Sequence, residues 1–132
     1  MNMRGKSQVE IFGTDTLEQI NEQVTGYAEG LGVDVKFVHS NIEGEVINAL
    51  YEAHEDGTDA ALMNPAGYTT TTGPIRAAIS QVGFPVIEVH ASNPTSRGTV
   101  STIQPVCKGS VYGFGVYGYY LALEAVKRIA GN

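Results

Sequence analysis

The sequence has one cysteine, Cys107, among 132 residues. That excludes an internal disulfide framework, and without clustered partners it also excludes a thiolate metal cage or a catalytic thiol. Cys107 reads as a small buried residue and suits a reducing, cytoplasmic compartment. Cations are scarce too: eight Lys and Arg stand against fourteen Asp and Glu, a formal net charge of −6. Phosphate neutralisation needs clustered Lys and Arg, so nucleic acid is not an expected partner. An acidic small molecule would have to be met locally, by a few aimed donors. No apolar run approaches the ~20 residues that span a bilayer, and nothing reads as a signal peptide, so a membrane is not expected as a partner either.

What is present is ordinary globular composition, 42% hydrophobic with sixteen glycines. A chain of this length buries roughly two-thirds of its extended surface, enough for a single domain over residues 1–132. Asp15 and Glu18 make a capping-box-like start, and Leu17, Ile20, Val24, Ala28 and Leu31 recur at helical spacing. The spacing predicts a helix over 16–31. Val33, Val35 and Phe37 alternate with Asp34 and Lys36 and predict a half-buried strand. Ser40 and Glu43 repeat the capping-box pattern ahead of a second helix, from Glu43 to about His54, ended by Glu55-Asp56-Gly57. Ala60 to Met63 is a short strand, and Pro74 opens a third helix that stops at Gly83. Pro85 to Val89 is another strand, Val111-Tyr112 a short one, and Tyr117 to Ile129 the closing helix. Strands alternating with helices imply parallel β-α-β units covered on both faces. The start is ambiguous: either Val9-Glu10-Ile11-Phe12 is the first strand, or the first strand is absent.

Two strand ends carry the chemistry. Asn64-Pro65-Ala66-Gly67-Tyr68 follows Ala60 to Met63, and His90-Ala91-Ser92-Asn93 follows Pro85 to Val89. In open parallel sheets ligands sit outside the carboxyl ends of strands, so a pocket is expected there. A histidine ending a strand is more often structural than catalytic, but Glu88 and Ser92 beside His90 favour function. Asn64 before Pro65 suits a turn as well as a donor. His39 and His54 read as surface residues. Thr69 to Thr72 is either an anion site ahead of a helix or a polar loop. Gly113-Phe114-Gly115-Val116-Tyr117-Gly118 satisfies the dinucleotide fingerprint, yet that motif belongs to a first β-α-β unit with an acidic residue about twenty positions on. Here the glycines read as close packing of the last strand against the last helix.

Taken together, Gly13-Thr14-Asp15-Thr16-Leu17, Ser40-Asn41-Ile42-Glu43-Gly44-Glu45, Asn64-Pro65-Ala66-Gly67-Tyr68-Thr69, Glu88-Val89-His90-Ala91-Ser92-Asn93 and Gly113-Phe114-Gly115-Val116-Tyr117-Gly118-Tyr119 resemble the type II 3-dehydroquinate dehydratases along nearly the whole chain. The resemblance implies a flavodoxin-like, doubly wound, five-stranded parallel sheet and self-association of trimers into a dodecamer. It also implies dehydration of 3-dehydroquinate without metal or cofactor. An ionised tyrosine beside an arginine takes a proton alpha to the ketone, polar groups near Asn-Pro stabilise the enolate, and a histidine protonates the leaving hydroxyl. His90 and Asn64 match the last two roles, and Glu88 matches the acid that orients the histidine. Ala91 and Ser92 match the segment that holds the substrate carboxylate.

The departures from that pattern are specific. Ser7 stands where the family carries its arginine and Phe12 where it carries the tyrosine, so no phenol is available there. Lys6 and Arg4 are the nearby cations. Thr70 replaces a pocket histidine, Ala77 an aspartate, and Ser101 or Thr102 falls at the carboxylate-side arginine. The family's first apolar strand has no counterpart before Asn2-Met3-Arg4-Gly5, which suggests a start assigned downstream of the natural one or a trimmed chain. The expectation is a dehydratase-like hydro-lyase acting on a small hydroxylated carboxylic acid, with very weak turnover of 3-dehydroquinate. The alternatives are a diverged enzyme with another substrate or reaction, and a non-catalytic small-acid-binding subunit.

Overall fold

The structure, a computed structural model, describes residues 3–6, 8–71 and 73–130; the side chains of Val9 and Phe12 are outside that description, as are Ser7 and Thr72. Three parallel strands, β1 (Ala61–Met63), β2 (Val86–His90) and β3 (Gly109–Tyr112), form one open α/β sheet in the order β1-β2-β3. The helices are α1 (Val9–Phe12), α2 (Leu17–Leu31), α3 (Glu43–Glu55), α4 (Pro74–Gln81) and α5 (Tyr117–Ala130).

The central strand decides the layering. All five residues of β2 are buried, because helices cover both of its faces. Side chains alternate along a strand. Val86 joins Leu50, Ile75, Ala78, Ile79 and Ile103 beneath α3 and α4, whereas Ile87 and Val89 pack with Ala122 and Val126 of α5. Ile20, Val24 and Ala28 of α2 meet Leu123 beside them. Gly118 is what lets α5 approach so closely: a Cβ there would stand 3.4 Å from Val111 Cγ1 and 3.6 Å from Val89 Cγ1. The packing reading of the glycine run therefore holds at Gly118.

Several local expectations change. Val9–Phe12 is a short helix, which rules it out as the first strand. The segment 33–40 runs without regular structure, and among the described residues no ladder forms on it. Among the described residues nothing is hydrogen-bonded to the outer edge of β1, and Val33 and Val35 pack instead against the α2–α5 cluster. Five strands were expected; three form among the described residues. The capping box of α2 is Thr16 with Gln19, one residue beyond the Asp15–Glu18 pair, because Thr16 is the last residue with extended backbone. Ser40 does not cap α3 in that way; its hydroxyl donates to Glu45 Oε1 at 2.6 Å and accepts from Ile42 N at 2.9 Å. Cys107 is half-buried rather than buried.

Candidate active site

The register of β2 against β3 places Glu88 beside Ser110 and His90 beside Tyr112. Glu88 and His90, two residues apart, share the face under α4 and the 3₁₀ turn Gln104–Val106, so their side chains meet by strand geometry alone. His90 Nε2 lies 2.7 Å from Glu88 Oε2. Glu88 has no solvent exposure, and a carboxylate cannot be buried uncompensated. Three donors compensate it: the His90 ring, the Ser101 hydroxyl at 2.6 Å on Oε2, and the Tyr112 hydroxyl at 2.8 Å on Oε1. Burial pushes its pKa up, but hydrogen bonds from His90, Ser101 and Tyr112 outweigh that and hold the carboxyl below its ordinary value. Glu88 is therefore an anion at neutral pH. His90 Nε2 must donate to it, leaving Nδ1 to exchange a proton with a ligand.

The Ser101 hydroxyl is aimed at Glu88 by the bonds its oxygen accepts. Its Oγ accepts from the backbone N–H groups of Ile103 and Gln104, both at 3.2 Å, opening the turn Gln104–Val106. Thr102 binds the backbone oxygens of Thr69 and Thr71, tying the loop after β1 to the same turn. Ser101 and Thr102 thus serve the scaffold; neither lines the cleft where the sequence comparison puts an arginine.

The Asn64 segment is equally built. Its Oδ1 accepts from Ala66 N at 3.0 Å, an Asx turn that holds Ala66 at φ +46, and its Nδ2 donates to Tyr119 Oη at 3.1 Å. That leaves one amide N–H for a ligand. Burial raises the pKa of Tyr119, opposed by Asn64 and by the Arg4 cation, so the phenol stays neutral.

Between these strand ends opens a cleft of about 510 Å³, lined among others by Asn64, His90, Ala91, Ser92, Arg4 and Arg97. His90 and Asn64, the two residues expected to face a ligand with polar groups, line it together with Ala91 and Ser92. Glu88 sits behind His90, touching no ligand space. Of the threonine run, Thr70 lines the cleft, Thr69 donates to Ala66 O at 2.6 Å and Thr71 donates to Glu43 at 3.2 Å. Thr72 lies outside the described residues. His39 and His54 are exposed, as expected, though His54 Nδ1 accepts from Gly83 N at 3.0 Å. A second hollow on α3 is lined by Asn48, Tyr51, Glu52, Glu55 and Asp56, whose carboxylates repel an acid.

Sequence reasoning missed Arg97 and undervalued Arg4. Arg97 ends the 3₁₀ turn Pro94–Arg97, and Arg4 precedes Gly5, whose φ of +77 brings the turn so close that a Cβ would lie 2.6 Å from Thr14 O. These are the cleft's cations among the described residues, and each comes from a loop with no periodic signal. Ser101 and Tyr112 were missed as partners of Glu88; the parallel register of β3 would have pointed to Tyr112 alone.

Comparison with known proteins places this geometry. The family model for dehydroquinase class II matches residues 1–127. The 3-dehydroquinate dehydratase of Caldanaerobacter subterraneus subsp. tengcongensis is 45% identical over 130 residues, covering 96% of this chain and 87% of that protein. That of Pelotomaculum thermopropionicum is 41% identical over 135 residues, covering 100% and 93%. The crystal structure of type II dehydroquinase from Butyrivibrio crossotus superimposes with a TM-score of 0.91 at 32% identity, covering 96% of this chain and 90% of that one. With a family match over nearly its whole length, and relatives of that identity and coverage, the chain belongs to the class II dehydroquinase family.

Proposed function

We propose that this chain is a hydro-lyase that dehydrates 3-dehydroquinate to 3-dehydroshikimate. The observation that carries the reading is the pairing of His90 with an anionic, fully buried Glu88 at the edge of a cleft that Asn64 also lines. Glu88 fixes the ring, so that His90 Nδ1 faces the ligand and delivers a proton to the departing hydroxyl. The free N–H of Asn64 is a donor for the enolate that forms when the proton alpha to the ketone is removed. Ala91 and Ser92 bind the carboxylate, with Arg4 and Arg97 supplying local positive charge in an acidic protein. Asn64 and His90 are thus assigned to contact substrate, Glu88 to position His90. No step calls for a metal or cofactor.

The alpha proton passes to solvent water, because no phenol stands at position 12 to take it. Phe12, whose side chain is outside the described residues, has no oxygen, and Ser7 brings no cation. Missing general-base catalysis typically costs ~10²–10⁴-fold, so turnover is slow. The test is an ultraviolet assay of conjugated enone formation from 3-dehydroquinate, comparing the chain with Phe12→Tyr and with Phe12→Tyr combined with Ser7→Arg. Slow turnover that rises about tenfold or more in the double variant supports the reading, as the magnitude of base catalysis requires. Absence of turnover from all three folded proteins overturns it.

We further place the enzyme in the cytoplasm, where a reduced Cys107 is stable, and assign it self-association through trimers to a dodecamer. Exposed Phe37, Val38, Ile42 and Val100 supply apolar surface for such contacts. Sedimentation velocity checks the assembly.

A further inference from the structure

We propose that Tyr112 is a positioning residue of the proton-donating pair: it holds Glu88 by a hydrogen bond and buttresses the His90 ring with its own. The inference rests on the hydro-lyase reading for its kinetic consequence, but its structural content stands on the fold.

Three contacts converge. The parallel register puts Tyr112 directly beside His90 on the same face of the sheet. The two rings meet edge to face, with centroids 4.8 Å apart and planes at 83°. The Tyr112 hydroxyl then reaches back to Glu88 Oε1 at 2.8 Å, the oxygen that neither His90 nor Ser101 uses. His90 and Ser101 both crowd Oε2. Without Tyr112, Oε1 would be a buried carboxylate oxygen with no donor assigned to it, and the carboxylate would be free to rotate about its terminal torsion. One phenol therefore fixes the carboxylate plane and, through it and the ring contact, the direction of His90 Nδ1.

The phenol itself does not take the missing base's place. Burial, with the adjacent Glu88 charge, raises its pKa, so it remains a donor at any working pH. The other groups facing Glu88 are the Ser101 hydroxyl and the Cys107 thiol; burial and Glu88 push that thiol up to about 12, so it is neutral as well. Arg4 and Arg97 face the cleft side of His90. Glu88 is thus the group whose charge Tyr112 controls.

Tyr112→Phe keeps the ring contact and removes the hydrogen bond, whereas Tyr112→Leu removes both. Two measurements decide. First, a carbon-13 titration of the Glu88 side-chain carboxyl is recorded in the parent and in Tyr112→Phe. Losing one of three donors should raise its midpoint by roughly half a unit to one unit. Second, kinetics on 3-dehydroquinate should show kcat reduced several-fold in Tyr112→Phe and further in Tyr112→Leu. KM should stay within about twofold, and the acid limb of the kcat profile should move to higher pH. An unchanged Glu88 midpoint in folded Tyr112→Phe overturns the inference whatever the turnover. A raised midpoint with kcat unchanged in both variants overturns it too, since the phenol would then touch Glu88 without serving the reaction. If the parent has no turnover, the hydro-lyase reading fails by itself, and the Glu88 titration still decides whether Tyr112 sets that carboxylate.

Discussion

On one wall of the cleft, His90 ends a strand whose five residues are all buried, and its partner Glu88 is held by three side chains from three different segments. On the other wall, Arg4 stands in a turn and Gln8 just ahead of α1, a helix of four residues, and both Gln8 and Gly5 adopt positive φ. The two walls face the same space with different kinds of support. The acid side is fixed by the core, so its residues cannot be exchanged singly without leaving a buried charge or donor unpaired. The N-terminal side is fixed by turns, where a change costs the fold little. Ser7 and Phe12, the two positions at which the sequence was expected to depart from the family resemblance, are neighbours of that wall in sequence. Packing thus protects one wall and not the other.

This contrast is most directly broken at His90. Replacing His90 with Ala should lower kcat on 3-dehydroquinate by ~10²–10⁴-fold, the usual worth of a positioned proton donor, while calorimetric stability changes much less. Equal losses in activity and stability would mean that His90 is only structural. The opposing wall is sharpened by Arg4→Ala. A charge-assisted hydrogen bond is worth about 1.5–3 kcal/mol, so steady-state kinetics should show KM raised about tenfold or more with the melting temperature nearly unchanged. An unaltered KM would remove Arg4 from substrate binding.

The smallest expected effect is thermodynamic and lies behind the acid wall. Glu88→Gln puts an amide NH₂ among donors, leaving a buried donor unsatisfied at a cost of about 1–3 kcal/mol. Because hydrogen bonds hold the Glu88 pKa below its ordinary value in the folded state, its contribution is present above the ordinary carboxylate range and lost as pH falls through the depressed value. Urea unfolding as a function of pH should show the gap between parent and Glu88→Gln closing on acidification. A gap independent of pH would show that Glu88 is not an anion in the fold.

Much of the helical layer was legible from periodicity. Leu17, Ile20, Val24 and Ala28 describe one face of α2, and Pro74 and Gly83 bracket α4, because helix faces and stop signals are local properties. The strand at 33–37 was not, since alternation shows what a strand could bury but not whether its backbone will join a ladder. The site divides along the same line. His90, Asn64, Ala91 and Ser92 were legible because strand ends place ligands, and Glu88 because two residues is the repeat of a strand. Ser101 and Tyr112 were not, since each reaches Glu88 from another segment of the chain, and Arg4 and Arg97 were not, since they stand in turns without periodic signal.

The sequence by itself determined the α/β class, the covered central strand, the family resemblance and the polar groups at two strand ends, all consequences of short-range pattern and residue chemistry. Only the tertiary structure decided that Glu88 is held by three donors, that Asn64 spends one N–H on Tyr119, and that the cleft's cations come from turns. Those facts depend on register and on loops closing over long separations, and no local pattern encodes which side chain will fill a given buried hydrogen bond.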